Sequence, residues 1–103
     1  AANDMEKLVL VDTKFHDTIY KASRNERLTN IINNLREQIQ RYRATTLAYP
    51  GRMEESLDEH RAIVEALQAR DTQLARQLAG EHIENAEISM IESIKMDGLS
   101  IKD

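Results

Sequence analysis

Helix-breaking residues are nearly absent from this chain: its 103 residues include one proline, Pro50, and three glycines, Gly51, Gly80 and Gly98. Between them apolar side chains recur at spacings of three and four, the period of a helix with one buried face, and alternating β-branched runs are few. Together these features predict an all-α fold of helices joined by short turns and packed as an antiparallel bundle.

Four helices follow from the pattern. The first, about Asn3 to Ser23, sets Met5, Leu8, Asp12, Phe15, His16, Ile19 and Ala22 on one face. The second, about Asn25 to Ala48, repeats Leu28, Ile31, Ile32, Leu35, Ile39, Tyr42 and Thr46. It stops before Tyr49-Pro50-Gly51, because proline lacks the donor that a helix interior needs. The third, about Met53 to Ala69, presents Met53, Leu57, His60, Val64 and Leu67, with Ile63 flanking the stripe. Asp71 is a natural N-cap for the fourth, in which Leu74, Ala75, Leu78, His82, Ala86 and Ser89 share a face. That helix is expected to run to about Asp97, with Gly98 ending it and Leu99 to Asp103 fraying.

Length allows one small domain or part of one, with a modest core. With no cysteine, neither a disulfide nor a thiolate metal site is available. The start, Ala1-Ala2-Asn3-Asp4, lacks the basic and apolar segments of a signal peptide, and no apolar stretch approaches a membrane span. We read the chain as soluble and cytoplasmic. The formal charge of −4, with basic residues interleaved among acidic ones, gives no electrostatic footprint for DNA. An initiator methionine is lacking and helical pattern begins almost at once, which reads as a fragment of a longer protein.

Polar ligand types interrupt the apolar stripes. His16, His60 and His82 each fall on the inward face of a different helix, and Asp12 sits one turn before His16. Imidazoles and a carboxylate converging from separate helices can hold a divalent metal, so these four are the candidate ligands. The competing reading is a set of hydrogen-bonded core histidines, one paired with Asp12. Neither His-Glu-x-x-His nor paired Glu-x-x-His occurs, which speaks against zinc-protease and di-iron chemistry, and no glycine-rich phosphate loop is present. Asp17, Glu59 and Glu81 adjoin ligands in sequence but point away by helical phase, so they are expected on the solvated surface.

The segments Val11-Asp12-Thr13-Lys14-Phe15-His16, Asn25-Glu26-Arg27-Leu28, Asp58-Glu59-His60 through Leu67, Arg70-Asp71 and Glu81-His82-Ile83 occur in that order. As an ordered set they resemble the C-terminal effector (FCD) domain of GntR-family transcriptional regulators, in the FadR-like subgroup with a metal site. The resemblance covers nearly the whole chain, and its metal ligands fall on Asp12, His16, His60 and His82. It implies an effector-binding domain over residues 1–103, incomplete at its N-terminus, that binds a divalent ion (Zn, Ni, Mn, Fe or Co) and a small organic acid. The family passes that signal to an N-terminal winged-helix DNA-binding domain, here absent from the chain, and a homodimer is expected of the full-length protein.

Three imidazoles and one carboxylate can close a tetrahedral zinc site or leave two positions open on a six-coordinate ion. In the second case a carboxylate or hydroxy-acid can bind, and an arginine can pair with its free oxygens. Arg36 and Arg43, one heptad apart beside the inward stripe, are the candidates, with Asn85 and Ser89 one and two turns beyond His82 as further lining residues. No general base stands out near the ligands, so an enzyme is not expected. The alternatives are a metal-dependent hydrolase and a metal-free helical interaction module.

Overall fold

The structure, a computed structural model, describes residues 2–102, and their side chains over residues 4–96. All regular elements among them are helices, as expected: α1 (Ala2–Ala22), α2 (Glu26–Asn34), α3 (Arg36–Ala48), α4 (Arg52–Gln68) and α5 (Thr72–Lys102). They form two compact units, Ala1–Thr45 and Thr46–Asp103, and α3 contributes residues to both.

In the first unit the α1 helix ends at Ser23-Arg24, where Arg24 takes a left-handed φ of 55° and its amide bonds the Lys21 carbonyl. Asn25 then caps α2, its side-chain oxygen accepting from the Leu28 amide at 2.9 Å. This is the physical content of the Asn-x-x-Leu element, since a cap satisfies a donor the first turn cannot. The expected single helix from Asn25 to Ala48 is interrupted at Leu35, whose φ of −102° and ψ of 8° leave the helical region. Its amide is shared between the Ile31 and Ile32 carbonyls, a tightening of the last turn. Asn33-Asn34 precede the break, and asparagine side chains compete for backbone hydrogen bonds. The apolar stripe continues across the interruption and hides it.

Buried residues of this unit are polar. Asp12, Thr13 and Arg43 are enclosed, while Leu8, Phe15, Ile19, Leu28, Ile32 and Ile39 are half-buried. The Thr13 hydroxyl donates back to the Val9 carbonyl at 2.7 Å and accepts from Arg43 Nη1 at 3.1 Å, so α1 and α3 are joined through polar side chains.

The second unit is a helical hairpin. Tyr49-Pro50-Gly51 forms the expected turn, with Gly51 at φ 83°, a conformation that costs glycine little. The α4 helix closes with Arg70 left-handed (φ 57°) and the Asp71 amide bonded to the Ala66 carbonyl. Asp71 caps α5 as expected, accepting from the Leu74 amide at 3.0 Å. Leu47, Ile63, Ala66, Ala75 and Ala86 are buried, and the Thr46 hydroxyl donates to the Ala86 carbonyl at 3.1 Å.

Three expectations for this unit are corrected. The inward face of α4 carries Arg52, Ser56, Ile63 and Ala66, whereas Leu57 and Leu67 are 45% and 51% exposed and Val64 also lies outside. Apolar periodicity placed His60 correctly, toward His82, but chose Leu57, Val64 and Leu67 wrongly, because the buried face is built largely of small and charged residues. Leu74, likewise expected inward, is exposed. Nor does Gly98 end α5: the helix runs to Lys102, through the segment expected to fray, and Asp103 lies outside the described residues. A lone glycine lowers helix stability by about 1 kcal/mol but stops nothing without a competing turn. No described helix is long and apolar enough to cross a membrane.

Candidate metal centre

Each unit assembles two of the four candidate ligands. In the first, Asp12 and His16 stand one turn apart on α1, with His16 Nε2 3.7 Å from Asp12 Oδ2 and both side chains largely enclosed. Their proximity is a property of one helix, as i and i+4 side chains stack on the same face. Arg43 reaches in from α3: its Nε lies 3.5 Å from Asp12 Oδ2, and its Nη2 3.5 Å from the Tyr20 hydroxyl. The His16 ring also meets the Phe15 ring edge to face, at 5.4 Å between centroids.

In the second unit His60 of α4 and His82 of α5 face each other with Nε2 atoms 3.3 Å apart. Behind His82 stands Glu59, whose Oε1 accepts from His82 Nδ1 at 2.7 Å. Arg52 holds that carboxylate with a two-pronged grip, Nη1 to Oε2 at 2.9 Å and Nη2 to Oε1 at 2.7 Å, the geometry in which guanidinium and carboxylate bind best. Asn85 Nδ2 donates to Oε2 at 3.0 Å. Burial by itself raises the pKa of Glu59, but hydrogen bonds from Arg52, His82 and Asn85, with the Arg52 charge, outweigh it and hold the carboxyl below its usual value. Glu59 is therefore ionised and acceptor-only at neutral pH.

This overturns the expectation that Glu59 is a solvated surface residue. It is the hub of the second unit's polar network, and its partner Arg52 was not singled out from sequence. A signal existed: Arg52 and Glu59 are seven residues apart, two turns along one face, and His82 and Asn85 are three apart on the helix opposite. Of the other two acids, Asp17 pairs with Arg36 at 3.3 Å, while Glu81 is exposed and accepts from Gln77. The candidate effector residues divide similarly. Arg36 is committed to Asp17 and to Asn33 Oδ1 at 2.8 Å, Arg43 is buried against Asp12, Asn85 serves Glu59, and Ser89 is buried with its carbonyl accepting from Ser93.

The donor set suits a divalent ion. Two nitrogens bound to one tetrahedral zinc at roughly 2.0–2.1 Å lie about 3.3 Å apart, which is the separation of the His60 and His82 Nε2 atoms. Without an ion the same distance is that of a hydrogen bond between the two rings. The Glu59 contact is the arrangement by which metal-binding histidines are usually oriented, a carboxylate on the nitrogen away from the metal.

These features define a class: an all-helical domain with a buttressed histidine pair between two helices. Within that class the chain belongs to the FCD domain family, whose family model matches residues 1–85. All four candidate ligands fall within the matched stretch, as do Arg52 and Glu59. No curated protein and no solved structure is significantly similar to the chain.

Proposed function

We propose that this chain is the ligand-sensing part of a GntR-type transcriptional regulator of the FadR-like subgroup. In this reading Asp12 and His16 of the first unit and His60 and His82 of the second are ligands of one divalent ion. A small carboxylate or hydroxy-acid binds at the same place and alters DNA binding by an N-terminal winged-helix domain of a cytoplasmic, homodimeric protein. The observation that carries it is the His60–His82 pair, 3.3 Å apart with one ring backed by an ionised carboxylate, in a member of the FCD family.

When bound, the ion supplies a Lewis-acidic point that attracts an anionic oxygen. The residues of the chain do the rest. Both arginines already face a carboxylate, Arg36 that of Asp17 and Arg43 that of Asp12; Arg43 is the better of the two for a second carboxylate oxygen because it stands beside a proposed ligand. An effector regulates only if it favours one arrangement of the helices over another.

Calorimetric titration with mono-, di- and hydroxycarboxylates, with and without a metal chelator, tests the reading. Acid binding is expected only in the metal-loaded protein and is expected to weaken in Arg43→Ala. Equal binding by the metal-free protein removes the ion from the effector mechanism, and turnover of an ester or amide substrate that disappears with the ion favours the hydrolase instead.

A further inference from the structure

Resting on the metal reading above, we propose that Glu59 is a positioning residue that fixes the tautomer and aim of His82, with Arg52 as its buried brace. A neutral imidazole carries one proton, and it can ligate a metal only through the nitrogen that lacks it. Glu59 Oε1 lies 2.7 Å from His82 Nδ1, and an ionised carboxylate can only accept, so the proton resides on Nδ1. Arg52 Nη2 also approaches Nδ1, at 3.3 Å, but guanidinium only donates and the contact is longer, so the carboxylate decides. The His82 Nε2 lone pair is thereby directed at the point that His60 Nε2 also faces.

The carboxylate is itself held in place. Both of its oxygens are occupied by Arg52, and Asn85 adds a third bond to Oε2. Arg52 has a side chain only 1% exposed, so it cannot swing away from Glu59 into solvent. Its position at the first turn of α4, directly after the Tyr49-Pro50-Gly51 turn, ties the orientation of His82 on α5 to the start of the other helix. A rival role for Glu59 is purely structural, the counter-charge of a buried arginine. That role predicts lower stability on its removal, but no effect on the His82 tautomer or on the metal affinity of the folded protein.

Two measurements separate these roles. Nitrogen-15 chemical shifts of the imidazoles in the wild-type chain, free of metal and with zinc, are expected to show His82 protonated at Nδ1 in both states. A predominant Nε2-protonated form overturns the proposal without any variant. Zinc affinity by competition with a chromophoric chelator, well below the melting temperature, is expected to fall 10- to 100-fold in Glu59→Ala and by less in Glu59→Gln, which keeps an acceptor but loses the charge. Wild-type affinity in a folded Glu59→Ala chain sinks the positioning role and leaves the metal site standing. A wild-type chain that binds no zinc sinks both. Should the variants not fold, the wild-type tautomer decides.

Discussion

The two units reach the same number of candidate ligands by different physical routes. Asp12 and His16 share one helix, so their spacing comes from helical geometry, and the residues buried around them, Thr13 and Arg43, are polar. His60 and His82 come from two helices and meet only because α4 and α5 pack over Ile63, Ala66, Ala75 and Ala86. The second pair therefore depends on an apolar core, and the guanidinium–carboxylate bonds behind it, 2.7 and 2.9 Å, are shorter than the contacts of 3.1–3.5 Å around Arg43. A local pair needs little support, whereas a pair drawn from two helices needs both packing and orientation.

The sharpest way to break this contrast is to remove each unit's arginine. Arg52→Ala is expected to destabilise the metal-free chain by about 3 kcal/mol, because it strips a paired carboxylate of its buried partner. Arg43→Ala is expected to cost about half as much, its contacts being longer. Denaturant melts of the two variants under chelation read the difference, and equal losses would show that the first unit relies on its polar interior just as heavily.

Apolar truncations probe the packing side. Ile63→Ala is expected to cost about 3 kcal/mol as a cavity in a small core, and Ile19→Ala, half-buried on α1, about 1 kcal/mol. Leu57→Ala, on the exposed side of α4, should fall within about 0.5 kcal/mol of wild type. A large loss at Leu57 with little at Ile63 would restore the helix face that apolar periodicity suggested.

A smaller effect concerns pH. The folded-state pKa of Glu59 lies below its usual 4.5, so the ionised form is favoured by folding. Its contribution is fully present above the unfolded-state value and is lost as pH falls from there through the folded value. Stability of the metal-free wild type should therefore decline on acidification below about pH 5, more steeply than that of Glu59→Gln. Parallel declines would mean that Glu59 gains nothing from its network.

How far the sequence could be read follows from the same physics. Helix content, the Tyr49-Pro50-Gly51 turn and the cap Asp71 depend on a few neighbouring residues, and all were legible. So was the inward phase of His16 and His82, because their helices keep the expected face. The break at Leu35 was not, since two asparagines weaken a helix without marking its end. The rotation of α4 and the role of Glu59 were hidden for a shared reason: the face buried against α5 is rich in charge and small side chains, and its value lies in partners about thirty positions away, such as His82 for Arg52. Patterns of hydrophobicity register burial by apolar residues and miss burial by mutual pairing.

The central proposal is that Asp12, His16, His60 and His82 are ligands of one divalent ion, and thermal melting with metal analysis tests it most directly. Chain purified without chelator should carry about one ion and, with metal at about a hundredfold over its dissociation constant, gain about 2.7 kcal/mol over the chelated form. In His60→Ala and His82→Ala that gain should vanish, and the double variant should lose no more of it than either single one. Identical melting of chelated and metal-supplied wild type, with no ion found in the purified chain, would contradict the account and leave the histidines as hydrogen-bonded members of a helical core.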